Sequence, residues 1–159
     1  MKKIISIVLG AVVVDQITKG ILLSMVAGGW KWAGDAFALV PHPYFIARVF
    51  SWFNIVFTWN PGSSFSMFRE APAVIMIGLT GAVIGYLAWL LFTKTRDIPM
   101  ALIVGGALGN LIDRVRFGAV VDFIDWHAGT WHWPAFNIAD VCICVGVGLY
   151  LLQWIKRKK

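Results

Sequence analysis

Between Gly105 and Asp140 the chain places four aspartates, two asparagines and two arginines, although only 14% of its residues are charged. A carboxylate in or near a bilayer costs about 2.5–3.5 kcal/mol, even on lenient insertion scales, unless it is paired or wetted. Asp122 has no local compensation, because Gly118 to Ile124 reads GAVVDFI, without a cation. Asp140 follows Asn137 by three residues, the spacing of a helix N-cap and a first-turn acid. Asp140 then has two readings, a complement to the helix dipole or half of an acid–base pair, and the first does not exclude the second. Two carboxylates from separate elements that share one proton can activate water and protonate a leaving amine.

The neighbouring polar residues suggest supports for such a pair. Asn110 and Arg114 are spaced i, i+4 on one helix face, which directs Arg114 toward the site. Asp113 and Arg116, at i, i+3, are the expected ion pair next to it. Asp125, beside Trp126 and His127, reads as solvated or interfacial. Asp15 and Lys19, again i, i+4, read as a structural ion pair. Other chemistries find weaker support. His127 and His132 lack a matching carboxylate motif and His42 lies in a proline-flanked loop, so no metal is expected. Ser63 and Ser64 lack a G-x-S-x-G elbow. Cys142 and Cys144, two apart in a helix, point to different sides and read as packing residues.

The elements that must hold these groups are membrane spans. The chain has 159 residues, enough for one domain, and 59% are hydrophobic. A soluble protein carries about 25% charged residues, well above this chain. Apolar runs predict spans over residues 4–26, 73–92, 98–112 and 136–155, the last starting at the Asn137–Asp140 cap. The third run is short, stopping at Asp113. Gly105, Gly106 and Gly109 allow its neighbours to approach closely. Residues 27–72 are broken by Pro41, Pro43, Pro61 and Pro72, and Ser51 to Trp59 has strand character. The expected fold is an all-α polytopic membrane protein, a single domain over 1–159, with a small strand-rich extracytoplasmic cap at 27–72 and an outer loop at 113–135. Trp30, Trp32, Trp52 and Trp59 suit the headgroup level of that cap.

The net charge of +6 does not imply nucleic acid. Eight of the fourteen basic residues lie at Lys2–Lys3, at Lys94 and Arg96, and over Lys156–Lys159, each cluster flanking an apolar run as the positive-inside rule expects of cytoplasmic ends. Both termini are therefore expected in the cytoplasm, with Asp122 and Asp140 near the outer face. From the residues alone, three functions remain open. A peptidase would use the aspartates as a dyad, a proton- or ion-coupled transporter would use them as a relay, and an adaptor would use them only to join helices.

Five blocks in order carry a resemblance to one family: Asp15-Gln16-Ile17-Thr18-Lys19, Asn60-Pro61-Gly62-Ser63-Ser64-Phe65, the run Gly106 to Arg114, Val120-Val121-Asp122-Phe123, and Phe136-Asn137-Ile138-Ala139-Asp140. With them the chain resembles bacterial signal peptidase II, a family of intramembrane aspartic peptidases. Ser63 and Ser64 stand where that family often has alanine. The resemblance implies that Asp122 and Asp140 are the catalytic dyad. It implies that Asn60, Gly62, Asn110, Arg114 and Asn137 line the site, and that Asp15 and Lys19 hold the first helix or help place substrate. It further implies prolipoprotein substrates bearing a diacylglyceryl cysteine, cleavage just before that cysteine, and a bacterial inner-membrane location. No cofactor is implied, globomycin-type inhibitors are, and a dyad within one chain requires no partner subunit, so a monomer in contact with membrane lipids is expected.

Overall fold

A backbone in hydrocarbon must satisfy its own hydrogen bonds, so the long apolar runs become helices. The computed structural model describes residues 1–40, 44–62 and 73–157. Within them lie helices α1 (Lys2–Val26), α2 (Ala36–Leu39), α3 (Ala73–Leu90), α4 (Ile98–Phe117) and α5 (Ile138–Arg157). Among the described residues four helices, α1, α3 with its extension, α4 and α5, are long and apolar enough to cross a membrane. The expected turn through Ser63–Phe65, and His42, lie outside the described residues.

A π-helical turn, Leu91–Thr95, extends α3, and Arg96 then adopts a left-handed conformation at φ 48°. Asp97 caps α4 by accepting the Met100 N–H at 3.1 Å. Helix α4 is central, packed against α1, α3 and α5. Its glycines permit this as expected. A Cβ on Gly105 would meet the Val8 carbonyl oxygen at 2.9 Å, one on Gly106 would collide with the Ala139 carbonyl, and one on Gly109 would meet the Asp15 carboxylate at 2.6 Å. The outward faces are apolar: on α3, Ile75, Leu79, Val83 and Tyr86 are exposed in one helical stripe, the composition that lipid contact requires.

The third span differs from its expected end at Ile112. Helix α4 continues through Asp113 to Phe117, where Gly118, at φ 75°, closes it with an N–H bond to the Arg114 carbonyl at 3.0 Å. Asp113 does not interrupt the helix because Lys19 neutralises it from α1, at 3.0 Å.

Residues 113–135 are likewise no simple loop. Strands β1 (Tyr44–Phe50), β2 (Phe53–Asn60), β3 (Val120–Ala128) and β4 (Trp131–His132) form one antiparallel sheet in the order β1-β2-β3-β4. The sheet thus takes two strands from residues 27–72 and two from the segment expected to be a loop. A register shift between Ile55 and Thr58 sets Thr58 opposite Asp122 and Asn54 opposite Asp125.

Strand alternation turns Phe57 and Trp59 of β2, with Val121 and Phe123 of β3, onto Leu23 of α1 and Phe117 of α4. Trp59 is consequently a core residue, 3% exposed, and not a headgroup anchor; its ring meets Phe57 edge-on at 5.0 Å. Trp30, Trp32 and Trp52 are exposed. After β4 the chain runs back along β3, where Phe136 and Ile124 exchange backbone hydrogen bonds of 3.1 and 2.8 Å. That pairing delivers Asn137 to the side of Asp122.

Candidate active site

Asp122 projects from β3 and is 2% exposed. Among the described residues its carboxylate meets amides and no cation: Asn60 Nδ2 donates to Oδ2 at 2.9 Å and Asn137 Nδ2 to Oδ1 at 2.6 Å. Burial pushes the Asp122 carboxyl up to about 7, and the Asp140 charge adds to the rise; the hydrogen bonds from Asn60 and Asn137 oppose it.

Asp140 enters from the first turn of α5. Its Oδ2 accepts the Asn137 backbone N–H at 3.1 Å, and its own N–H donates to Asn137 Oδ1 at 3.0 Å. This is the reciprocal capping box anticipated from the spacing. Asn137 therefore touches both aspartates, Asp140 through the cap and Asp122 through its side-chain amide. The capping reading of the motif therefore holds.

Asn110, on α4, completes the link. Its Nδ2 donates to Asp140 Oδ1 at 2.8 Å, while its Oδ1 accepts from Lys19 Nζ at 2.9 Å and lies 3.1 Å from Asn137 Nδ2. Gly62, at φ 93°, donates its N–H to Asn60 Oδ1 at 2.9 Å, which fixes the amide that holds Asp122. The Arg114 guanidinium is within electrostatic reach of Asp140 and Asp122. Among the described residues its buried Nε has no hydrogen-bond partner.

Beneath this group lies an ion cluster that sequence reasoning caught only in part. Lys19 Nζ contacts Asp15 Oδ2 at 2.9 Å and Asp113 Oδ2 at 3.0 Å, and all three residues are buried. The expected Asp113–Arg116 pair does not form. Asp113 turns inward, accepting from Gln16 Nε2 at 2.9 Å and from the Val121 backbone N–H at 3.1 Å, next to Asp122. Arg116 turns outward, stacks 4.7 Å over Trp32 and donates to the Trp32 carbonyl at 2.6 Å. Asp15 Oδ1 accepts the Ala139 N–H at 2.9 Å, which binds the middle of α1 to the start of α5. Asp113 and Gln16 are thus site-supporting residues that sequence reasoning missed. Their only signal was position: Gln16 beside Asp15, and Asp113 one turn after Asn110.

Asp125, expected to be solvated, is 7% exposed. Asn54 Nδ2 donates to its Oδ2 at 2.8 Å and His132 Nδ1 lies 2.7 Å from its Oδ1. Burial alone would raise its carboxyl, but these hydrogen bonds hold it below the usual carboxylate range. The cross-strand partner Asn54 removes it from solvent, a contact that local spacing does not encode. Cys142 and Cys144 are both free thiols.

An apolar cavity of about 540 Å³ opens beside Asp140. Trp126 of β3 walls it together with Trp133 and Phe136 of the segment after β4, and Val141, Cys144 and Val145 from α5. A polar hydrogen-bonded centre and an apolar cavity therefore meet at Asp140.

Known proteins resemble this chain in sequence and in fold. A family model described as Signal peptidase (SPase) II matches residues 7–156. A lipoprotein signal peptidase of Polynucleobacter necessarius is 37% identical over 164 residues, spanning 98% of this chain and 89% of that protein. Another, from Syntrophotalea carbinolica, is 40% identical over 151 residues, or 90% of this chain and 85% of the relative. A solved structure described as a bacterial membrane enzyme superposes with a TM-score of 0.74 at 29% identity, covering 100% of this chain and 91% of its own.

Proposed function

The chain belongs to the signal peptidase II family, and on that premise we propose that it removes signal peptides from lipoprotein precursors with Asp122 and Asp140 as an aspartic dyad. One observation carries the reading. Asp122 is buried without a direct cation, with a carboxyl near 7, and is joined to Asp140 through Asn137. A carboxyl poised near neutrality suits proton transfer at working pH.

In this reading Asp140, in the first turn of α5, is the base. It takes a proton from water as the water oxygen bonds to the scissile carbonyl carbon. Asp122, protonated, donates a hydrogen bond to the carbonyl oxygen and stabilises the charge that develops there. The tetrahedral intermediate collapses when the C–N bond breaks and the pair delivers a proton to the leaving nitrogen. The products are a signal peptide ending in a carboxylate and a mature chain starting with the amine of its lipidated cysteine. Arg114, with an unengaged buried donor, and Asn60, Asn110 and Asn137 orient the groups without exchanging protons. Asp15 and Lys19 hold α1 against them. Gly62 holds Asn60.

The apolar cavity beside Asp140 gives an acylated precursor a route from lipid to the dyad, so the diacylglyceryl cysteine is the substrate feature that this reading assigns. The chain then works as a monomer in a bacterial inner membrane, with both termini cytoplasmic and the sheet on the outer face. Globomycin-type compounds would compete for the same centre.

The test is a gel-shift cleavage assay in liposomes with a diacylglyceryl-modified precursor. Wild type, with and without a chelator, is compared with Asp122→Asn and Asp140→Asn. Chelator-resistant cleavage that disappears in both folded variants is expected. Normal cleavage by either variant would remove that aspartate from the chemistry.

A further inference from the structure

A second cavity, of about 600 Å³, borders the site and differs from the first in composition. Its walls come from the sheet and from the segment 132–135, with no residue from the four long helices. Thr58, which faces Asp122 across the β2–β3 ladder, lies in it; so do Asn54, Asp125 and His132. Asn54 and Thr58 are four residues apart on β2, about 13 Å of extended chain. Trp133 belongs to both cavities, so they share a wall.

His132 stands at the rim of this groove, its side chain 50% exposed and its ring held on two sides. An ionised Asp125 only accepts, so the 2.7 Å contact places a proton on His132 Nδ1. Asn54 fixes the other carboxylate oxygen at 2.8 Å, and His127 stacks on the ring at 4.9 Å and 19°. With that proton on Nδ1, the neutral form of the ring presents Nε2 as an acceptor with a set direction.

We propose that the groove binds the extended segment of the precursor that follows the scissile bond, and that His132, oriented by Asp125, accepts a hydrogen bond from it. The inference rests on the peptidase reading above. A lipoprotein precursor presents two unlike stretches at the cut, an apolar signal segment and a polar mature chain. The apolar cavity against α5 suits the first. The mixed groove suits the second, because it begins opposite Asp122, leads away from the helices and carries a carboxylate–histidine pair. Its four-residue span along β2 matches a short extended peptide.

The experiment uses the full-length enzyme and two diacylglyceryl substrates with one signal peptide. One continues six residues beyond the cysteine; the other stops two residues beyond it. Wild type is expected to show a KM about ten-fold lower for the longer substrate, an increment typical of one well-placed hydrogen bond. In His132→Ala that difference disappears while kcat on the short substrate is unchanged, and His132→Gln, which keeps an acceptor, restores part of it. Equal wild-type KM values, or an equal loss on both substrates in His132→Ala, would overturn the groove and leave the pair as a staple between β3 and β4. Failure of wild type to cleave either substrate would instead overturn the peptidase reading itself.

Discussion

Two groups of buried carboxylates lie within one turn of each other, and their surroundings are opposite. Asp15 and Asp113 share Lys19, an ammonium that contacts both. Among the described residues, Asp122 has only amide donors, from Asn60 and Asn137. A buried carboxylate beside a cation has its charge matched and contributes structure; one held by neutral donors has no such match. The difference separates scaffold from chemistry more sharply than burial does, since all three aspartates are nearly inaccessible.

Substitution should split the two groups cleanly. Asp122→Asn keeps shape and amide contacts, so turnover should fall by about 10³-fold or more while thermal unfolding in detergent changes little. Lys19→Met should do the reverse in kind. It leaves two carboxylates buried without a cation, and stability should fall by about 3–5 kcal/mol, read by denaturant or thermal unfolding. If Lys19→Met unfolded like wild type but lost catalysis, the assignment of the ion cluster to structure would be wrong.

The pH dependence of stability sharpens the comparison. The folded pKa of Asp122 is raised, from 3.8 to about 7, so its contribution is complete below 3.8 and is lost as pH rises through about 7. At about 1.4 kcal/mol per unit, the upper bound on that loss is ~4 kcal/mol. Unfolding followed from pH 4 to pH 8 should show the decline in wild type and a flatter profile in Asp122→Asn. The smallest effect is expected from Asn60→Ala. It removes a hydrogen bond that lowers the Asp122 carboxyl, so the alkaline limb of the pH–rate profile should move upward, by about one unit or less. A downward shift would mean that Asn60 stabilises the neutral form.

Much of this was legible in the residues. Asp122 stood out because nothing nearby in sequence could neutralise it, and the Asn137–Asp140 spacing specified a capping box that the structure contains. The four spans followed from apolar runs. What failed did so where distant partners decide. Asp113 was paired with Arg116 by i, i+3 geometry, but Lys19, ninety-four residues earlier, took it instead. The end of α4 was misplaced for the same reason, since an acid that ends an isolated apolar run need not end a helix once a cation meets it. The run Val120–Ala128 was split by its aspartates and so did not read as a strand; pairing with β2 buries both of them. Trp59 looked like its exposed counterparts because an interfacial and a buried tryptophan have the same neighbours in sequence.

The bond between the Asp15 carboxylate and the Ala139 amide joins positions 124 residues apart. During translation α1 leaves the ribosome long before α5 exists, and until then Asp15 has no helix terminus to cap and Asp122 has neither Asn137 nor Asp140. On the proposed reading the dyad is therefore complete only once α5 has joined the other helices.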